Sequence, residues 1–217
     1  MTTFSNSPRL LKGAIVSVKP TGSPGQVIEF QYNPDTLTRT LTARIMGGGE
    51  TEKGEPLRFK GPPEESIKLD VEIDATDQLE AMQEPSVSMG IYPALAALEA
   101  LVYPDSAQVI ANDKLLSAGN KEIVPPEAPL TLFVWGPRRV LPVKIGSLSV
   151  TEEAYDPALN PIRAKVALEL KVLSYQELDL NSIGGSLYMA YQVAKETMAR
   201  SAGSASLPFK LNLQPGG

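Results

Sequence analysis

The chain has 217 residues, 42% of them apolar and 21% charged, which is enough apolar side chain for a packed core and too much for wholesale disorder. It contains no histidine and no cysteine, so Ser-His and Cys-His nucleophile pairs, imidazole or thiolate metal sites and disulfides are all excluded. The net charge is −5 and the nearest thing to a basic block is Arg138-Arg139, so no basic stripe exists for nucleic acid.

In chain order, Gly13–Lys19 and Gln26–Tyr32 are rich in Val and Ile and read as strands, and Thr36–Ile45 alternates threonine with larger residues. Gly47–Glu65, full of Gly, Pro and Glu, reads as a long exposed hairpin loop. Beyond it, Ile67, Leu69, Val71 and Ile73 share one face and Lys68, Asp70, Glu72 and Asp74 the other, the pattern of a half-buried strand. A helix is predicted over Tyr92–Tyr103, with Pro93 suited to its first position and Pro104 ending it. Strands follow over Leu130–Trp135 and Val140–Thr151. The longest alternating run is Ile162–Val172, with Ile162, Ala164, Val166, Leu168, Leu170 and Val172 on one face and Arg163, Lys165, Glu169 and Lys171 on the other. A second helix is predicted over Ser186–Ser201, with Leu187, Tyr191, Ala194 and Met198 as its apolar stripe and Gly203 as its C′ residue. The expectation is a mainly β chain with two helices, one domain over residues 1–203 and an extended tail over 204–217.

Reactive constellations are scarce. Gly49 and Gly54 have Walker-like spacing, but Glu55 stands where a phosphate-binding lysine is needed, so a loop tip is the better reading. Asp70, Glu72 and Asp74 imitate the start of a calcium loop, yet Ala75 occupies the glycine position and strand alternation explains the acids. Glu64-Glu65 and Glu152-Glu153 are candidate carboxylate pairs for glycoside chemistry, but adjacent residues on a strand point apart. No Ser-x-x-Lys occurs. Trp135, ending an apolar strand, reads as packing. The longest uncharged apolar stretch, Pro85–Leu98, is too short for a bilayer, and no secretory h-region is visible. No catalytic, cofactor or metal residue is predicted.

Two proline-set corners stand out. Phe30-Gln31-Tyr32-Asn33-Pro34 follows a strand, and Pro34 forces Asn33 out of the helical region. Tyr155-Asp156-Pro157-Ala158-Leu159-Asn160-Pro161 leads into the longest alternating strand. Together with that strand and the late helix, these corners resemble the tube-type baseplate proteins of contractile injection systems, over roughly Leu10–Ala202. Many relatives carry a C-terminal LysM module after the helix; here about fifteen residues follow. The resemblance implies a phage-tail-tube-like antiparallel β-sandwich or barrel, built of two sheets flanked by a helix, six copies forming a ring.

It further implies a passive adaptor between spike and inner tube, a tube initiator that templates tube assembly. Its partners would be the inner tube, the spike and other baseplate subunits, without nucleic acid or membrane insertion. It would be made in the cytoplasm and built into a particle that is released or docks on a membrane. On this reading Thr36, Thr38, Thr40, Thr42, Lys68, Asp70, Glu72 and Asp74 line the lumen, and the Gly47–Glu65 tip reaches the adjacent ring. Three alternatives stay open: a tube terminator or cap, a monomeric β-sandwich that binds a small ligand or carbohydrate, and an enzyme working with carboxylates alone.

Overall fold

The computed structural model describes residues 11–18, 24–46, 58–117 and 128–202. The Walker-like glycines, most of the Gly47–Glu65 segment, Gly203 and the 204–217 tail lie outside the described residues. Among the described residues, seven strands form one antiparallel sheet: β1 (Ala14–Val18), β2 (Pro24–Glu29), β3 (Leu37–Thr42), β4 (Glu64–Asp74), β5 (Leu130–Val134), β6 (Val140–Tyr155) and β7 (Pro161–Val172). Their order is β2-β1-β5-β6-β7-β4-β3. The two sheets implied by the resemblance are therefore one. A single strand, β6, serves both halves: Val140–Val143 pair with β5, and Val143–Tyr155 pair with β7. Leu141, Pro142 and Val143 are all buried, where alternation would expose one of them. The pairing slips between Ile145 and Ser147, at Gly146. Such a bulge bends a strand and lets it pass from one half of a folded-over sheet to the other.

The chain itself forces the curl. β2 and β3 are the two edges of the sheet, yet only residues 30–36 connect them. Seven flat strands would hold those edges about 29 Å apart, close to the full reach of so short a connection at about 3.5 Å per residue. The corner at Phe30–Pro34 takes up part of that length in a turn, so the edges must approach each other. Ile15, Phe30 and Phe133 from one half and Ile67, Val166 and Leu170 from the other consequently share one core. Trp135 is half-buried and stacks on Phe133 with ring centroids 5.8 Å apart, a packing role as its position suggested.

Five helices are present among the described residues, where two were predicted: α1 (Thr76–Glu80), α2 (Ser86–Met89), α3 (Tyr92–Glu99), α4 (Ser106–Ser117) and α5 (Ile183–Ser201). Pro93 sits in the first turn of α3, one residue after its start, and the helix ends at Glu99 instead of running on to Tyr103 and Pro104. Leu95 and Leu98 point into the core. α5 begins earlier than predicted, capped by Ser182, whose Oγ accepts from the Gly185 amide at 3.0 Å. Its buried face is Gly184, Gly185, Tyr188 and Tyr191, a rotation away from the predicted stripe; Met198 is exposed. The glycines cause the rotation. A Cβ on Gly185 would lie 2.1 Å from the Asp179 carbonyl oxygen, and one on Gly184 would lie 2.7 Å from a Leu178 methyl. Only glycines let the first turn sit that close, which aims the tyrosines inward.

Candidate functional site: the two faces of the β3–β4 hairpin

β3 and β4 pair from Leu37↔Leu69 to Thr42↔Glu64, and one more bridge joins Ile45 to Phe59. The predicted hairpin is real, but its loop is shorter than Gly47–Glu65, because Glu64 and Glu65 already belong to β4. Within the pair, Thr38 faces Lys68 and Thr40 faces Ser66. On the other side of β4, Lys68 faces Glu169, Asp70 faces Ala167, Glu72 faces Lys165 and Asp74 faces Arg163. Strand alternation thus carries one wet face across β3, β4, β7 and the far part of β6. Thr36, Thr38, Thr40, Thr42, Lys68, Asp70 and Glu72 are exposed on it. Its charges are mixed and locally paired: Lys68 Nζ lies 3.4 Å from Glu169 and Lys165 Nζ 2.9 Å from Glu153. The Glu153 carboxylate, by hydrogen bond and by charge, raises the Lys165 ammonium above its ordinary value.

Asp74 differs from its neighbours, being half-buried at the end of β4. Arg163 donates to it from Nε at 2.7 Å, the Thr76 amide donates at 2.7 Å, and the Thr76 hydroxyl also donates to it. Burial opposes its ionisation, but the Thr76 and Arg163 hydrogen bonds outweigh burial and hold the carboxyl below its ordinary value. Its carboxylate is committed to the start of α1 and to β7, unlike the freely exposed acids beside it.

The opposite face of the same strands carries a charged cluster that no sequence pattern announced. Glu65 is 3% exposed. Its Oε1 accepts from Arg39 Nε at 2.8 Å and Nη2 at 2.5 Å, and its Oε2 accepts from Lys195 Nζ at 3.3 Å. Arg39 Nη2 also donates to the Tyr191 hydroxyl at 2.9 Å, and Lys195 sits 4.1 Å from the Tyr191 ring centroid. Three parts of the chain meet on this one carboxylate. Glu64, by contrast, is exposed, so the adjacent acids do point apart. Burial, with the Glu65 charge adding to it, pushes the Tyr188 hydroxyl up to about 12.

The two proline corners work through side-chain amides and a carboxylate. Phe30 is buried and Tyr32 exposed. Gln31 Nε2 donates to the Asp74 carbonyl at 2.6 Å and its Oε1 accepts from the Asp74 amide at 2.8 Å, so its amide stands in for a neighbouring strand. Asn33 repeats the device on β1's leading end: Nδ2 donates to the Leu11 carbonyl and Oδ1 accepts from the Gly13 amide, both at 2.8 Å. Pro34 is half-buried beyond them. In the second corner, Asp156 Oδ1 accepts from the amides of Ala158 and Asn160, and Oδ2 from Asn160 Nδ2, all at 2.8 Å. These bonds, that of the Asn160 side chain foremost, lower the Asp156 carboxyl below its ordinary value. Pro157 lies within the turn, Leu159 takes a left-handed φ of 66°, and Pro161 is fully buried. The Pro161 carbonyl accepts from the Ile91 amide at 2.8 Å, and a Cβ on Gly90 would lie 2.1 Å from it. The corner therefore docks the α2–α3 junction.

Among the described residues, no group of His, Cys, Asp and Glu could hold a metal ion, and no helix is long and apolar enough to cross a membrane. What the described residues offer is a curled antiparallel sheet with one wet, charged face and two strand edges. The chain belongs to the contractile injection system tube protein family, whose model matches residues 12–180. It is thus a structural component of a phage-tail-like injection system. No curated protein matches it. Nine chains of solved structures do. One, from the tail of an empty GTA particle described with C6 symmetry, is 11% identical over 74% of this chain and 90% of that one, at a TM-score of 0.29.

Proposed function

We propose that the protein forms a homo-hexameric adaptor ring in the baseplate hub of a contractile injection system, joining the spike to the inner tube and initiating tube assembly. The observation that carries this reading is the β3–β4 hairpin, which presents a continuous wet face on strands whose other face is core. Family membership supplies the context in which such a face lines a tube. In a ring, Thr36, Thr38, Thr40, Thr42, Lys68, Asp70 and Glu72 face the lumen, whose mixed and locally paired charges hold no cargo of one sign tightly. Asp74, engaged with Arg163 and Thr76, supports that face rather than meeting cargo. β2 and β3, each an edge of the sheet, pair with neighbouring copies, which satisfies edges that otherwise invite aggregation. The protein turns over no substrate and needs no cofactor.

Electron microscopy of the purified protein mixed with inner-tube protein tests the proposal. Six-fold rings, or tubes capped once at the end that binds spike, are expected. A chain that never joins a tube would overturn the adaptor role, and capping at the end that binds sheath would identify a terminator instead.

A further inference from the structure

On the buried-cluster side, α5 and the loop end of the β3–β4 hairpin leave a groove of about 440 Å³ between them. Leu41, Phe59, Pro62 and Tyr188 line it, with Lys195 and Glu196 among its polar residues. Two of its large apolar side chains stand open to solvent, Phe59 at 77% and Leu41 at 49%. Such an apolar trough beside an edge strand suits an extended segment with alternating apolar side chains.

We propose that the occupant is the chain's own Leu207–Leu213 segment, an inference that goes beyond the ring and does not rest on it. The segment alternates Phe209, Leu211 and Leu213 with Lys210 and Asn212, the same period of two that β3 carries along the groove wall. Lys210 is the single charge between Gly203 and Gly217 and complements Glu196. The reach is sufficient. Gln192, in the groove, lies nine residues before the end of α5 at Ser201, about 14 Å along the helix. The residues from Ala202 to Leu207 span up to about 20 Å when extended. A segment tethered so near holds an effective concentration in the millimolar range, which favours it over a second copy's.

The test places photoreactive benzoylphenylalanine at position 209 of the full-length chain and irradiates an equal mixture of isotopically light and heavy protein. Crosslinks from position 209 to peptides containing Leu41, Phe59 or Tyr188 are expected, within light or heavy chains alone. Phe59→Ser should cut their yield about tenfold while leaving the far-UV circular dichroism spectrum unchanged, since that ring is no part of the core. Crosslinks indifferent to Phe59→Ser, crosslinks between light and heavy chains only, or none in the groove would overturn the proposal.

Discussion

The sheet carries ionic contacts on both faces, and alternate residues of β4 meet opposite conditions. On the wet face, Lys68–Glu169 and Lys165–Glu153 are pairs in which the lysines remain about three-fifths exposed. On the other face Glu65 is removed from water and held by Arg39, Lys195 and, through Arg39, Tyr191. Exposed pairs contribute little, because solvent screens them and ordering two long side chains costs entropy. A desolvated carboxylate tolerates no missing partner. The sheet's polar face can therefore vary its charges cheaply, while its buried charge locks α5 to the hairpin.

Substitutions on the two faces should differ sharply in cost. Arg39→Ala, which takes the principal partner away from buried Glu65, should cost about 3–5 kcal/mol, read as a lowered denaturant midpoint with an unchanged slope. Replacing the pair together, Arg39→Met with Glu65→Met, should recover most of that loss, since an apolar pair of similar volume needs no partners. If the single and double variants are equally unstable, the cluster contributes by packing and the contrast between the faces fails.

Asp74 is the intermediate case, and Asp74→Ala should cost about 1–2 kcal/mol. Because its folded pKa is lowered, its contribution is complete above the unfolded carboxyl value of about 3.9 and is lost as pH falls through the folded value. The gap between wild type and variant should therefore narrow in acid, which paired unfolding curves from pH 7 to pH 2 would show. Tyr188 has the reverse sign. Its raised hydroxyl stabilises the fold fully below the unfolded value of about 10, and that stability is lost as pH rises toward about 12. Tyr188→Phe should remove this alkaline loss. The smallest change is expected on the wet face: reversing Lys68, Asp70 and Glu72 together should alter monomer stability by no more than about 1 kcal/mol. Its effect should appear in ring assembly or tube loading. If both are untouched, that face is ordinary solvent surface and does not line a lumen.

Much of the sheet is legible in the sequence because period-two patterning is local. β4 and β7 announce themselves through side chains that alternate along their whole length, and pairing in register needs nothing more. α1 and α2 are too short for a period to show. α4 carries its apolar residues as the adjacent pairs Val109-Ile110 and Leu115-Leu116, and none is buried, so no stripe marks it. The buried cluster is illegible for a different reason. Arg39, Glu65 and Lys195 meet only after the hairpin closes and α5 docks, and Glu65 sits in a stretch whose Gly, Pro and Glu content suggests a loop. Likewise the proline corners can be read as turns, but Gln31 pairs with Asp74, 43 residues away. An amide mimicking a strand has no signature of its own.

β6 lends the fold a mechanical character. Because one unbroken backbone runs through both halves of the curled sheet, a push on the wet half is conveyed to the other through covalent bonds and shared ladders. In mechanical terms the described sheet has the build of a leaf spring, one continuous strip bent over a single fulcrum near Gly146.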